Sequence, residues 1–125
     1  MKTILVDAWN TFVTVDGINL SMQKLLDTYS NSKIILTNAN EEECIKFGIV
    51  NMPYPVFSLA HNPNKTNPTY FEKFLSEHKL TSNNVLYFEH NEDAVNSARS
   101  LGIKTLWLKP GDSLENLSNF LDQNL

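Results

Sequence analysis

Five short stretches of the chain are apolar at nearly every position rather than at every second one. They are Ile4-Leu5-Val6, Ile34-Ile35-Leu36, Val56-Phe57-Ser58-Leu59, Val85-Leu86-Tyr87-Phe88 and Thr105-Leu106-Trp107-Leu108. A strand with one face in water alternates apolar and polar residues, so unbroken runs of this length require cover on both faces. That condition is met by a mostly parallel sheet with helices above and below it.

The segments between these runs supply the helices. Asn67-Pro68 has the form of an N-cap followed by proline at the first helical position, and Tyr70, Phe71, Phe74 and Leu75 share one apolar face behind it. Asn91 is placed to cap a helix carrying Ala94, Val95, Ala98 and Leu101, which Gly102 ends. Asn40 with Glu43, and Asp112 with Glu115, have capping-box spacing ahead of further apolar faces.

One segment breaks the rhythm. Phe12 to Leu20 contains two β-forming stretches around Asp16-Gly17, which predicts a hairpin directly after the first strand. A first helix follows at about Ser21 to Tyr29. The expected fold is therefore a three-layer α/β/α sandwich with a Rossmann-like sheet of about five strands and an added hairpin.

Composition narrows the function classes. The 125 residues suit one domain spanning 1–125, with 42% hydrophobic and 19% charged residues as in ordinary globular chains. A net charge of −4 carries no basic footprint for phosphate backbones, so no nucleic-acid partner is expected. The N-terminal apolar run is too short for a signal peptide or a membrane span. The single cysteine, Cys44, cannot close an internal disulfide, which suits a reducing cytoplasm. Nothing in the composition opposes a homo-oligomer.

In sheets of this type ligands bind at the carboxyl ends of the strands. Those ends carry Asp7-Ala8-Trp9-Asn10-Thr11, then Thr37-Asn38, then His61 and Lys65, then Glu89-His90-Asn91 with Glu92 and Asp93. A carboxylate, a hydroxyl-amide pair, a lysine and an acidic cluster on one edge suit an anionic substrate. The carboxylate can attack while the donors neutralise developing charge.

The order of these residues resembles the four motifs of the haloacid dehalogenase-like family. The resemblance runs from Thr3 to about Leu108, and the hairpin is similar to that family's flap. It implies that Asp7 is a nucleophile forming an aspartyl intermediate. It also implies that Thr37 and the backbone of Asn38 hold the transferring phosphate, while Lys65 orients Asp7 and balances charge. The intervals 8–36 and 38–64 leave no room for a cap domain. The implied substrate is a small-molecule or macromolecular phosphate.

The sequence departs from the family pattern at four positions. Phosphatases of the family carry a second aspartate as acid and base where this chain has Trp9, and an indole has no titrating proton to relay. The usual glycine is Asn10, the expected magnesium-binding aspartate falls on His90, and the later aspartate on Ala94. Glu89 and Asp93 keep the acidic spacing one position early, so Asp7, Glu89 and Asp93 are the candidate ligands should Mg2+ bind. Three readings remain open: a hydrolase with weak, altered or lost phosphatase activity, a non-catalytic phosphate-binding or regulatory module, and a metal-free dehalogenase-like hydrolase. The last suits the aromatic Trp9 and lacks the enclosing cap.

Overall fold

The computed structural model describes all residues, Met1–Leu125. The sheet is parallel throughout and combines β1 (Thr3–Asp7), β4 (Lys33–Thr37), β5 (Val56–Ser58), β6 (Val85–Glu89) and β7 (Lys104–Trp107) in the order β5-β4-β1-β6-β7. A separate antiparallel hairpin, β2 (Val13–Thr14) with β3 (Gly17–Ile18), follows β1. Five helices complete the sandwich: α1 (Leu20–Leu26), α2 (Glu41–Phe47), α3 (Thr69–His78), α4 (Glu92–Arg99) and α5 (Leu114–Asn124). No helix is long and apolar enough to cross a membrane.

Every residue of β1 and of β6 is buried, as unbroken apolar runs require. Side chains alternate across the sheet, so each strand feeds two cores. Ile4, Val6, Leu86 and Phe88 pack on the side of Met22, Leu26, Leu117 and Leu121, from α1 and α5. Leu5, Leu36 and Tyr87 pack on the other side against Tyr70, Phe71 and Phe74 of α3 and Ala98 of α4. Each fully buried phenylalanine contributes about 1.5–3 kcal/mol of transfer free energy.

The register sets the position of the site. Asp7 pairs with Leu36, Thr37 with Ser58 and Glu89 with Trp107, so the polar ends of β1, β4 and β6 finish at one edge. The chain runs from β1 to β4 and β5 on one side and then crosses back to β6 and β7 on the other, which makes the end of β1 the switch point where such sheets form a crevice.

Local details correct several expectations. Asn19 caps α1 through Met22 N–H at 3.1 Å, one residue ahead of the expected start, and three-residue turns end the helix at Leu26. The hairpin turn is Val15-Asp16 rather than Asp16-Gly17, because Gly17, at φ +97°, is already paired with Thr14. Ser113 rather than Asp112 caps α5, since the Asp112 carboxylate accepts from Lys109 N–H at 2.8 Å. The Asn40–Glu43 capping box and the Asn91 cap form as read. At α3 the Asn67 side chain accepts from Thr69 N–H at 3.0 Å.

Candidate active site

Asp7 ends β1 with 2% of its surface exposed, and its carboxylate is the hub of the site. Oδ1 accepts from Lys65 Nζ at 2.7 Å. Oδ2 accepts from the Thr11 hydroxyl at 2.6 Å, and lies 2.5 Å from His90 Nδ1 and 3.3 Å from His90 N–H. The tight loop after β1 makes this geometry: Phe12 and Val13 N–H bond back to the Asp7 and Ala8 carbonyls, which turns Thr11 over the strand end. Asn10 within that loop has φ +66°. Asparagine tolerates this left-handed conformation better than most residues, which is why it can stand in the family's glycine position.

Lys65 comes from the loop between β5 and α3 and is 4% exposed. Besides Asp7 it donates to Glu89 Oε1 at 2.7 Å, with Leu36 O and the Tyr87 hydroxyl each at 3.3 Å. Its backbone N–H bonds to Asn38 Oδ1 at 2.7 Å. Asn38 thus anchors the lysine loop with its side chain, and also meets Asn64 at 3.1 Å. Thr37 is buried, and its hydroxyl accepts from Ala39 N–H at 3.2 Å, which leaves the hydroxyl hydrogen to donate. Glu89, 1% exposed, also accepts from the Tyr87 hydroxyl and from Asn91 N–H.

The charges are interdependent. Burial alone would raise the Asp7 carboxyl, but Lys65 first, and then the hydrogen bond from His90, hold it well below the usual carboxylate range. Burial alone would lower the Lys65 ammonium, yet Asp7 and Glu89 push it up instead. Hydrogen bonds to Asp7 and Glu89 raise His90 to about 10, so the ring is an imidazolium at neutral pH. Two cations then face two carboxylates.

These residues open onto a cleft of about 320 Å³. Asp7, Thr37, Asn38, Lys65, Glu89 and His90 all reach it, as do two of the altered positions, Trp9 and Ala94. The Trp9 indole stacks on Phe47 of α2, with ring centroids 4.5 Å apart and planes at 24°. Ala94 brings only a methyl group from the first turn of α4. Across the cleft His61 Nε2 meets Glu43 Oε1 at 2.7 Å.

Asp7, Glu89 and His90 form the one group of side chains whose donor atoms lie close enough to share a metal ion, within 4.8 Å of one another. Asp93 is exposed on α4 and stands outside that group, so the helix turns this third acidic candidate away from the site. Sequence reasoning did not single out Thr11, Tyr87, Phe47 or Trp107, whose indole N–H holds the His90 carbonyl at 3.0 Å. Tyr87 was hidden inside an apolar run. The threonine four residues after Asp7 was the one legible signal.

No protein-family model and no curated protein sequence matches the chain. Solved structures do. A haloacid dehalogenase family enzyme from Bacteroides thetaiotaomicron, an aspartate-to-alanine mutant with magnesium and inorganic phosphate, superposes with a TM-score of 0.76 at 12% identity, over 94% of this chain and 98% of that one. The core domain of a protein described as a phosphoglycolate phosphatase, from Streptococcus pneumoniae, gives 0.64 at 16% identity over 98% and 96%. A subfamily IA hydrolase of the same superfamily, from Geobacter sulfurreducens, gives 0.64 at 15% identity over 87% of this chain and 57% of that one. The chain has the haloacid dehalogenase-type fold.

Proposed function

We propose that the protein is a haloacid dehalogenase-type hydrolase in which Asp7 is kept as nucleophile, while the metal-dependent phosphatase chemistry of the fold is weak or lost. The observation that carries this reading is the Asp7 carboxylate itself. It is buried, held ionised, paired with Lys65 at 2.7 Å and open to a cleft that Thr37 and Asn38 also line. A carboxylate attacking phosphorus needs to be ionised, and the substrate's charge needs neighbouring donors. Lys65 and the Thr37 hydroxyl are those donors.

Two features lower the expected rate. Trp9 offers no acid or base, a loss of about 10²–10⁴. Magnesium does not suit the cluster as it stands. Both oxygens of Asp7 and Oε1 of Glu89 already hold hydrogen-bond donors, and the His90 ring occupies the space between the two carboxylates as a cation. Magnesium favours a shell of oxygens and several waters, not a protonated imidazole. The cleft opens at the surface, which suits either a small phosphate or a phosphate on a macromolecule, and the proposed setting is cytoplasmic. A non-catalytic phosphate-binding module is the second reading. It is favoured by the four contacts on the Asp7 carboxylate, which tie up the lone pairs an attack would use.

Hydrolysis of 4-nitrophenyl phosphate with and without Mg2+ tests the proposal. Slow, magnesium-independent release of phosphate that Asp7→Asn abolishes is the expected result. Absence of turnover, with phosphate still raising the melting temperature, would favour the binding module.

A further inference from the structure

Trp9 is the residue nearest in sequence to Asp7 whose side chain reaches the same cleft, and the hydrolase reading gives it no part. Its chemistry limits what can react there. An indole has no proton to give at neutral pH, and the His90 ring directs Nδ1 at the Asp7 carboxylate, 2.5 Å away, so nothing at the position where the family carries its acid protonates the group that leaves phosphorus. Only leaving groups that are stable as anions depart readily in that way. The second observation is geometric. Phe47 and Lys46 of α2 support the aromatic pair: Phe47 stacks on the indole at 4.5 Å, and the Lys46 ammonium lies 5.8 Å from the Phe47 ring centre. The indole is half-buried and held in place, so the cleft has a fixed flat apolar wall beside a charged floor. Planar groups bind such walls by offset stacking, worth about 0.5–1.5 kcal/mol beyond the area they bury.

We propose that the site takes phosphate esters with a planar leaving group that departs as a stabilised anion, aryl phosphates above all, and that Trp9 is the residue that selects them. This rests on the hydrolase reading of Asp7. An Asp7 oxygen forms a bond to phosphorus, the bond between phosphorus and the aryl oxygen breaks, and the aryloxide leaves with its electron pair against Trp9. Water then adds to the phosphorus of the aspartyl phosphate, the bond to Asp7 breaks, and the carboxylate is restored. The water's proton ends on the departing phosphate. Lys65 balances the Asp7 charge in both steps.

The test measures kcat/KM, which reports the first step, for ring-substituted phenyl phosphates, ethyl phosphate and acetyl phosphate. For the native chain, kcat/KM falls steadily as the leaving phenol becomes less acidic. Ethyl phosphate trails the best aryl ester by at least the roughly 10²–10⁴ that acid–base help would otherwise supply. Trp9→Asp flattens this dependence and raises turnover of ethyl phosphate. Trp9→Ala raises KM severalfold for the phenyl phosphates and leaves it unchanged for acetyl phosphate, whose leaving group has no ring. Trp9→Phe keeps the steep dependence, so the proposal stays testable if the aspartate variant does not fold. A flat dependence, with turnover that Asp7→Asn still abolishes, overturns this inference and leaves the nucleophile in place. An equal KM effect of Trp9→Ala on acetyl and phenyl phosphates overturns the stacking role. No Asp7-dependent turnover of any substrate overturns both.

Discussion

The floor and the wall of the cleft are built on opposite principles. The floor is Asp7, Lys65 and Glu89, nearly closed to water, with the partly exposed His90 ring beside them, and each charge is answered by a neighbour at 2.5–2.7 Å. The wall is Trp9 on Phe47, half-buried, apolar and held by stacking. The floor is rigid because a buried charge without a partner is costly, so each residue there constrains the next. The wall tolerates change because stacking and dispersion fade gradually with shape. On the proposed reading, the floor sets whether chemistry occurs, and the wall sets on what.

Substitutions can break this contrast. The largest effect belongs to Lys65→Met, which leaves Asp7 and Glu89 facing each other in the interior. A loss of about 3–5 kcal/mol is expected, measured by urea unfolding. Asp7→Asn is expected to cost less, since Lys65 still has Glu89. If the two cost the same, the floor is not a coupled unit. Tyr87→Phe follows: it removes the hydroxyl that serves Glu89 and lies beside Lys65, at about 1–3 kcal/mol.

The next test reads a slope against pH. His90 is raised from 6.5 to about 10 in the folded chain. A group raised on folding contributes stability in full below its unfolded value and loses it as pH rises through the folded value. Stability is therefore expected to fall between about pH 6.5 and pH 10, and His90→Gln removes that fall. A variant with an unchanged alkaline limb would sever His90 from the floor. On the wall, Phe47→Leu keeps an apolar side chain but removes the stacked ring, at a cost of about 0.5–1.5 kcal/mol. It shifts Trp9 fluorescence to longer wavelength as the ring loses its cover. The smallest expected effect is none: millimolar magnesium leaves the melting temperature unchanged, and a clear rise would mean the His90 ring yields its place to the ion.

Much of the fold was legible along the chain. Strands buried on both faces must be apolar throughout, and that pattern survives without any knowledge of partners, so all five sheet strands were found within a residue or two. Helix starts read off single side chains were less secure. Asp112 and Ser113 are both competent caps, and the choice fell to Ser113 because the Asp112 carboxylate was taken by Lys109 N–H. The site was legible in part for a similar reason. Asp7, Thr37, Lys65 and Glu89 lie at strand ends or in the loops beyond them, and strand ends converge in any parallel sheet.

What the sequence alone determined is the architecture and the edge at which polar groups gather, since both follow from local periodicity. What only the tertiary structure decided is how those groups share one another. His90 read as a loop residue at a vacated metal position; folded, it meets Asp7 at 2.5 Å because β1 and β6 are neighbours in register. Asp93 read as a metal candidate; the first turn of α4 points it to solvent. Tyr87 read as core, yet its hydroxyl bonds to Glu89 two residues along the same strand. Trp9 read as a missing acid; its stacking on Phe47 exists only once α2 packs beside the end of β1. Burial and pairing depend on distances between residues far apart in the chain, and no local pattern carries those distances.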